Sequence, residues 1–373
     1  MDKDVIKPAI AALIARIDST LVQDGEGFPH YADVDTGRWV RTPGGDWTGG
    51  FWVGMLWLAA WKTGDSKYRE AATDWALRLG PRAASKSVFK GFLFWYGAGI
   101  GAELFSDPVA QALASAGAEG LRDMYNLKAG LIPLGADAEE AGEVGNDKAN
   151  IDALPGTLAL LMMKEGVSGA ADIAHHHLQR HLGFCVRSDG SVCQSAVFNP
   201  DDGALLRRYT HKGVTHDSTW GRAQTWAMLG MAQAMARGDV SCREIAIKVA
   251  DWWVGHLPAD DVAYWDFDDP AIPVAPRDTS ATAIGAASLL KLAELIPERS
   301  QVYRQVAMAS AAELIGKYLI PTGAADRRQV GILTQGCFNQ KLKFATANEL
   351  IFGDYFLLES LLVLDQSLVA TRI

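Results

Sequence analysis

One acidic side chain stands before an apolar run and could work as an acid and a base. Asp152 follows a polar segment, residues 146–150, and precedes the apolar run 155–164. A carboxyl group withdrawn from water keeps its proton to a higher pH, which suits general acid catalysis near neutral pH. Aspartate is also a common helix cap, and the residues alone favour that simpler interpretation of Asp152.

A second cluster of polar and aromatic residues, 210–226, leads into another apolar run. Asp217 or Ser218 is placed to cap the helix that follows. Arg222 and Trp226 are four residues apart, so they share one helix face. The guanidinium of Arg222 suits either a substrate carboxylate or a structural salt bridge, and the sequence leaves both interpretations open.

Twelve tryptophans are many for 373 residues, and several lie in loops or at loop borders. An indole ring offers a flat apolar face that suits the C–H face of a sugar. We expect two or three to stack on sugar and the others to pack helix ends. The loop and border tryptophans are Trp39, Trp47, Trp52, Trp95, Trp220, Trp226 and Trp265.

A group of histidines could suggest a metal site. His177 and His181 have i, i+4 spacing and follow His175 and His176, but no glutamate lies between them as a zinc-protease motif requires. We expect a solvated helix face and no metal. The chain also has no phosphate-binding loop, dinucleotide fingerprint, nucleophile elbow or catalytic-cysteine signature, so no cofactor is expected.

Helical periodicity dominates the elements that must position these residues. Residues 52–62 are apolar on nearly every side, which predicts a helix buried all round. Similar or amphipathic runs cover 6–22, 155–164, 223–236, 281–295 and 354–364. A loose repeat, in which a polar turn with an Asp or Ser cap precedes an amphipathic helix, recurs near residues 64, 168, 238 and 299.

Repeated helical hairpins either close into a ring or stack as an open solenoid. We predict a closed toroid in one domain, residues 1–373, because no linker-like segment divides the chain, and keep the open solenoid as the alternative. Loops long enough to be functional lie between the hairpins, at residues 24–50, 81–97, 129–152, 187–222 and 257–281.

Charge and composition exclude several classes of function. The net charge is −9 and no run of Lys or Arg occurs, which argues against nucleic acid as a partner. The start, Met1-Asp2-Lys3, lacks the basic segment of a signal peptide, and no apolar stretch reaches the ~20 residues of a membrane span. Four cysteines without a CxxC pair fit a reduced, cytoplasmic location.

Taken in order, these segments resemble the unsaturated glucuronyl hydrolases, glycoside hydrolase family 88. The resemblance extends over nearly the whole chain, and residues 210–226 are its most specific part. It implies an all-α fold, the (α/α)6 barrel. The matching segments are residues 28–30, 46–52, 64–69, 91–93, 151–152, 210–226, 264–267, 277–281 and 353–355.

The resemblance also implies a reaction. Such enzymes hydrate the 4,5-unsaturated uronic acid that polysaccharide lyases leave at the non-reducing end of an oligosaccharide, and the neighbouring sugar is then released. The implied partner is a small, anionic oligosaccharide. Asp152 matches the acid/base position of the family, and Trp47, His211, Arg222 and Trp226 match positions that line its pocket.

The chain departs from the family at several pocket positions. Phe89 stands where the family carries a second aspartate, and residues 81–97 contain no acid. Gln194 stands in place of a histidine, and Lys212 in place of a glutamine. Lys90 would add a further cation if it points inward. The lost acid would lower the pKa of Asp152 whereas the dry Phe89 would raise it, so the sequence does not decide the sign.

Two other functions remain open at this stage. A divergent glycosidase could use Asp152 with a second acid about 5–9.5 Å away on another modified or saturated glycoside, the candidates being Asp217, Asp278 and Glu143. Alternatively, a catalytically silent protein could keep the tryptophan pocket for binding carbohydrate. The sequence does not indicate the oligomeric state, the exact uronide or its linkage.

Overall fold

The computed structural model describes residues 3–23 and 25–373. Met1 and Asp2, which carry part of the signal-peptide argument, and Asp24, where a long loop was predicted to begin, lie outside these residues. In chain order the helices are α1 (Lys3–Leu21), α2 (Gly49–Thr63), α3 (Ser66–Leu79), α4 (Lys90–Phe94), α5 (Ile100–Phe105), α6 (Pro108–Arg122), α7 (Thr157–Leu161), α8 (Ala170–Cys185), α9 (Gly221–Ala236), α10 (Arg243–His256), α11 (Thr279–Leu295), α12 (Ser300–Glu313) and α13 (Ile351–Leu364).

The helices form two concentric layers. The inner layer contains α2, the α4–α5 segment joined by the π-helical turn Trp95–Gly99, α7, α9, α11 and α13; each packs against the next, and α13 returns to pack against α2. The outer layer contains α1, α3, α6, α8, α10 and α12. The predicted closed (α/α)6 barrel is therefore confirmed, and the open solenoid is wrong.

The sequence pattern of each helix explains whether it lies in the inner or the outer layer. Inner helices consist mostly of apolar or small residues and are buried on nearly every side, as α9 is at every position from 221 to 235. Outer helices bury one stripe, as α3 does with Tyr68, Ala72, Ala76 and Leu79 at helical spacing. Within the described residues, no helix is long and apolar enough to cross a membrane.

The capping predictions are confirmed at two of the four repeats. Asp65 accepts a hydrogen bond from the backbone N–H of Lys67 at the start of α3, and Asp239 does the same for Ser241 ahead of α10. The other two are wrong, because Gly169 and Arg299 occupy the N-cap positions of α8 and α12 and no side chain caps either helix.

Two small antiparallel sheets lie within the long segments that precede inner helices. The first has the order β2-β1-β6, built from β1 (Phe28–Ala32), β2 (Trp39–Thr42) and β6 (Glu349–Leu350). The second has the order β3-β4-β5, built from β3 (Lys148–Asn150), β4 (Ser195–Phe198) and β5 (Leu205–Tyr209). Since outer helices return the chain between inner ones, these sheets gather at one mouth of the barrel.

Candidate active site

The second sheet brings three distant segments of the chain to one place. Asn150 pairs with Ser195, and Ser195 pairs with Tyr209 on the next strand. The residues just beyond these positions are therefore neighbours: the backbone N–H of Ile151 donates to the carbonyl of Gln194 at 2.9 Å. This register places Asp152, Gln194 and the start of the 210–226 segment side by side.

Asp152 does not cap a helix. It lies in a single 3₁₀ turn, residues 151–153, and the cap of that turn is Asn150, whose Oδ1 accepts the backbone N–H of Asp152 at 3.0 Å. The carboxyl group of Asp152 is thus left for other contacts. The simpler interpretation of this residue, which the sequence alone favoured, is wrong.

The carboxyl group of Asp152 is buried and only half satisfied. Nε2 of Gln194 donates to Oδ2 at 2.9 Å, whereas Oδ1 is buried without a hydrogen-bond partner. Burial raises the pKa of Asp152 to about 6, against the opposing effects of Lys212, Gln194, Arg222 and the nearby side chain of Asn150. The sequence did not decide the direction of this pKa shift. In the structure the shift is upward, because the effect of burial is larger than the opposing effects of the nearby cations and hydrogen-bond donors.

Gln194 connects the acid to Lys212. Its Oε1 accepts the backbone N–H of Lys212 at 3.1 Å, which fixes the amide so that Nε2 faces Asp152. With Oδ2 of Asp152 occupied by this donor, the acidic proton belongs on Oδ1. Gln194 therefore holds the carboxyl group of Asp152 in place by donating a hydrogen bond to it.

Lys212 is a buried cation that makes no hydrogen bond through its ammonium group to the described part of the protein. The residue is 5% exposed. Its Nζ lies 5.9 Å from the ring centroid of Trp47, 5.7 Å from that of Trp220 and 5.1 Å from that of Phe338. Burial and the charge of Arg222 lower the pKa of Lys212 to about 8. An ammonium group held this way suits an incoming anion.

Arg222, by contrast, is already paired. Its Nη1 donates to Oδ2 of Asp278 at 2.8 Å, and its two terminal nitrogens also donate to the carbonyls of Cys337 and Phe338. Both charged side chains are fully buried. The structure thus shows the salt bridge, but Nε of Arg222 is buried without a partner and the side chain lines the cavity beside Trp226. Contact between Arg222 and a substrate carboxylate stays a prediction.

Asp217 and Ser218 do not cap α9. The N-cap position is Trp220, and no side chain caps the helix. Ser218 instead donates its hydroxyl to Oδ2 of Asp266 at 2.7 Å, while Asp217 is exposed in the loop. That capping prediction is wrong, because the chain reaches α9 through a bridge between Trp220 and Asp266.

Aromatic rings form the rest of the cavity wall. Trp47, Trp220 and Trp226 all line it. Phe89 lies 6.4 Å from Trp47 and stacks 6.0 Å from Phe92, measured between ring centroids. Phe89 thus makes this wall apolar.

His211 completes the wall as a neutral ring. Its Nδ1 lies 3.1 Å from the hydroxyl of Ser195, and Nε2 is buried without a partner. Burial and the neighbouring Lys212 lower its pKa to about 3. All eight site residues predicted from the sequence line or adjoin this cavity: Trp47, Phe89, Asp152, His211, Lys212, Arg222 and Trp226 line it, and Gln194 bonds to Asp152.

Two acids in the cavity wall, Glu139 and Glu140, were not singled out from the sequence. Oε2 of Glu140 accepts the indole N–H of Trp47 at 2.8 Å, and Oε1 lies 3.2 Å from Nε2 of His30. Burial raises the pKa of Glu140, but the hydrogen bond from His30 and the charge of Lys212 outweigh it and lower the pKa overall. The available signal was two adjacent acids in the long loop before Asp152.

Three acids considered as partners of Asp152 do not line the cavity. Glu143 is exposed and pairs with Arg207 at 2.9 Å, Asp278 is locked to Arg222, and Asp217 is exposed. None of them is positioned for two-carboxylate hydrolysis with Asp152.

Lys90 does not add a second free cation. It is buried, and its Nζ donates to the carbonyls of Ala83 at 2.8 Å and Gly120 at 3.1 Å. The structure thus contradicts the inward orientation of Lys90.

The histidine cluster is divided between surface and core. His175 and His176 are exposed, as expected, but His177 and His181 are fully buried, with ring centroids 4.1 Å apart. The prediction of a solvated face is wrong for this pair. Within the described residues, no three His, Cys, Asp or Glu side chains come together in a way that could hold a metal ion.

Comparison with known proteins agrees with this geometry, although no family model matches the chain. The chain is 32% identical over 357 residues to the unsaturated glucuronyl hydrolase of Bacillus sp. (strain GL1), covering 92% of each protein. It is 26% identical over 376 residues to the unsaturated chondroitin disaccharide hydrolase of Streptococcus pneumoniae, covering 97% of this chain and 92% of that protein. The crystal structure of the Bacillus sp. GL1 enzyme matches with a TM-score of 0.85 at 28% identity, covering 98% of this chain and 97% of that one.

The first of these relatives matches almost end to end, and the solved structure has the same barrel architecture. The chain belongs to the unsaturated glucuronyl hydrolase family, glycoside hydrolase family 88.

Proposed function

We propose that this protein releases a 4,5-unsaturated uronic acid from the non-reducing end of oligosaccharides, with Asp152 as the acid and base. One observation carries the proposal: Oδ1 of Asp152 is buried in the cavity without a partner, while Oδ2 is held by Gln194. With a pKa raised to about 6, the group carries its proton in mildly acidic solution and can lose it during the reaction.

The reaction follows from two proton transfers at Asp152, one to the substrate and one from water. Asp152 gives its proton to C4, and the electron pair of the C4=C5 bond forms the new C–H bond. Positive charge at C5 is shared with the ring oxygen. Asp152, now a carboxylate, takes a proton from a water molecule whose oxygen bonds to C5. The hemiketal opens by breaking the bond between C5 and the ring oxygen, and the hemiacetal at C1 then releases the neighbouring sugar.

Lys212 supplies the positive charge for the carboxylate of the substrate. Arg222 already pairs through its terminal nitrogens with Asp278 and two carbonyl groups, so most of its hydrogen-bonding capacity is in use. The ammonium group of Lys212 has no such partner among the described residues and faces the same cavity as Asp152. In an acidic protein, one desolvated cation is sufficient to favour an anionic ligand locally.

The aromatic wall suits the remainder of the sugar. Trp47 and Trp226 offer ring surface to the C–H groups of the uronic acid, and His211 is neutral with a free Nε2 for a hydroxyl group.

We also propose a reduced, cytoplasmic location and a single catalytic domain over residues 1–373. The four buried, free cysteines support the former.

A spectroscopic assay tests the function. Unsaturated uronides absorb in the near ultraviolet through their conjugated C=C–carboxylate group, and hydration removes that absorbance. We expect the protein to abolish it and to release the second sugar, with one deuterium at C4 of the uronic acid when the reaction runs in heavy water. Cleavage of saturated glycosides with no loss of absorbance on unsaturated ones would contradict the proposal, as would binding without turnover.

A further inference from the structure

A second carboxylate enters the cavity from the loop that precedes Asp152. We propose that Glu140 binds a hydroxyl group of the unsaturated uronic acid, and thereby restores a two-carboxylate site in a chain that has Phe89 at the family's other acidic position. This inference rests on the proposed function and adds to it a residue that sets the affinity for the sugar ring.

Both oxygens of Glu140 are held by rigid donors in the cavity wall. Oε2 accepts from the indole N–H of Trp47 at 2.8 Å, and Oε1 accepts from Nε2 of His30, 3.2 Å away. His30 is itself buried, with the hydroxyl of Thr48 2.7 Å from Nδ1. An ionised carboxylate has about four acceptor positions, so roughly two remain for a ligand.

The backbone at Glu140 is turned in a way that few side chains tolerate. Its φ angle is 54°, in the left-handed region, and nearby Gly142 is also left-handed with φ 77°. Non-glycine residues that adopt this conformation are concentrated at functional sites. Here the turn accompanies a side chain that is 29% exposed and held against the cavity wall.

Position separates Glu140 from the neighbouring acids. Glu139 also reaches the cavity wall, but it forms a salt bridge with Arg82. Glu143 points away and pairs with Arg207. Glu140 instead borders two adjoining cavities, the one that contains Asp152 and a more apolar one lined by Phe338 and Leu342. A carboxylate on that border lies next to the ring that the enzyme must hold.

The test compares Glu140→Gln with wild type on an unsaturated disaccharide. Glutamine keeps the size of the side chain and an oxygen for the indole of Trp47, but it loses the charge. We expect kcat/KM to fall by about 10- to 100-fold, the effect of losing a charge-assisted hydrogen bond. Glu143→Gln, in the same loop but outside the cavity, is the matched control and should remain within about twofold of wild type.

Substrate analogues without the hydroxyl group at C2 or at C3 separate binding from a merely structural role. If Glu140 contacts one of these groups, wild type loses kcat/KM on that analogue, whereas Glu140→Gln treats the analogue and the parent substrate alike. Equal losses for both proteins on both analogues would overturn the inference, as would a Glu140→Gln variant within twofold of wild type. A wild-type protein that consumes no unsaturated uronide would instead refute the proposed function, and the inference with it.

Discussion

At the scale of single residues, the site depends on the carboxyl group of Asp152, whose pKa is raised by burial more than it is lowered by the charges around it. Lys212, Gln194 and Arg222 all favour the ionised form of Asp152, yet burial raises its pKa to about 6. The group therefore holds its proton below this pH and releases it above. This is the property that a proton donor to carbon requires in mildly acidic solution.

The first prediction concerns the pH dependence of the reaction. Because the acid form of Asp152 is the active one, kcat/KM should be constant below about pH 6 and fall above it by about tenfold per pH unit. Initial rates at low substrate concentration, followed by near-ultraviolet absorbance, measure this profile. Activity that rises steadily from pH 6 to pH 8 would contradict the assignment of Asp152 as proton donor.

A second prediction follows from the charge of Lys212. Lys212→Met removes the cation that opposes the proton on Asp152, so the descending limb of the pH profile should move to higher pH. The same change removes the proposed anchor for the substrate carboxylate and should lower kcat/KM by about 10- to 100-fold at pH 5.5. Lys86→Met, at an exposed position, provides the control. If the descending limb of the pH profile and kcat/KM are both unchanged in Lys212→Met, Lys212 has no role in binding or catalysis.

The residues that the family resemblance indicated come together in the structure. Asp152, Trp47, His211 and Lys212 line one cavity. Glu140 was missed because its role depends on His30 and Trp47, which are 110 and 93 residues away in the chain. The spacing of neighbouring residues in a sequence does not predict contacts between residues so far apart in the chain.

At the scale of elements, the second sheet and the contact between α9 and α11 hold the site in place. The sheet sets Asp152 beside Gln194, and α9 presents Arg222 and Trp226 to the cavity. Helix bounds followed well from periodicity, with α9 predicted at 223–236 and found at Gly221–Ala236. Strand β5 had no such signal, since four of its five residues are exposed and do not alternate.

A third prediction tests the salt bridge between Arg222 of α9 and Asp278 at the start of α11. Asp278 caps α11 through the backbone N–H groups of Ser280 and Ala281 and pairs with Arg222, all out of contact with water. Asp278→Ala leaves a buried guanidinium without its counter-ion and should reduce the free energy of unfolding by about 3–5 kcal/mol. Urea denaturation measures the loss, with Asp217→Ala as the exposed control. A stability within 1 kcal/mol of wild type would show that this estimate of the pair is wrong.

At the scale of the whole molecule, the ring closes where α13 packs against α2. Hairpin repeats alone allowed either a ring or a solenoid, because closure is decided by contacts between the two ends of the chain. We predicted the ring from the repeated hairpins, and the family resemblance then specified the (α/α)6 barrel. Buried pairs such as Arg16 with Glu349 join these distant parts, and no local pattern predicts them.

A fourth prediction concerns the stability of the barrel in acid. Burial lowers the pKa of His181 to about 4, so the unfolded chain, with an ordinary pKa near 6.5, binds protons first as the pH falls. The contribution of His181 to the free energy of unfolding is therefore complete above about pH 6.5. Between about pH 6.5 and pH 4 it decreases by roughly 3 kcal/mol. Its buried neighbour His177 also has a lowered pKa and acts in the same direction.

Urea unfolding at several pH values provides the measurement. The free energy of unfolding should fall more steeply between pH 6.5 and pH 4 in wild type than in His181→Gln, which has no ring to protonate. His176→Gln changes an exposed ring of the same helix and should leave the slope unaltered. Identical slopes for wild type and His181→Gln would contradict a contribution from this buried ring.

The central claim is that the carboxyl group of Asp152 delivers a proton to a sugar carbon. Asp152→Asn keeps the size of the side chain and can still meet Gln194, but it removes the transferable proton. At pH 5.5 the folded variant should lose at least about a thousandfold of the wild-type rate of near-ultraviolet bleaching on an unsaturated disaccharide, while still binding it. A folded Asp152→Asn protein that keeps more than a tenth of wild-type turnover would contradict the account.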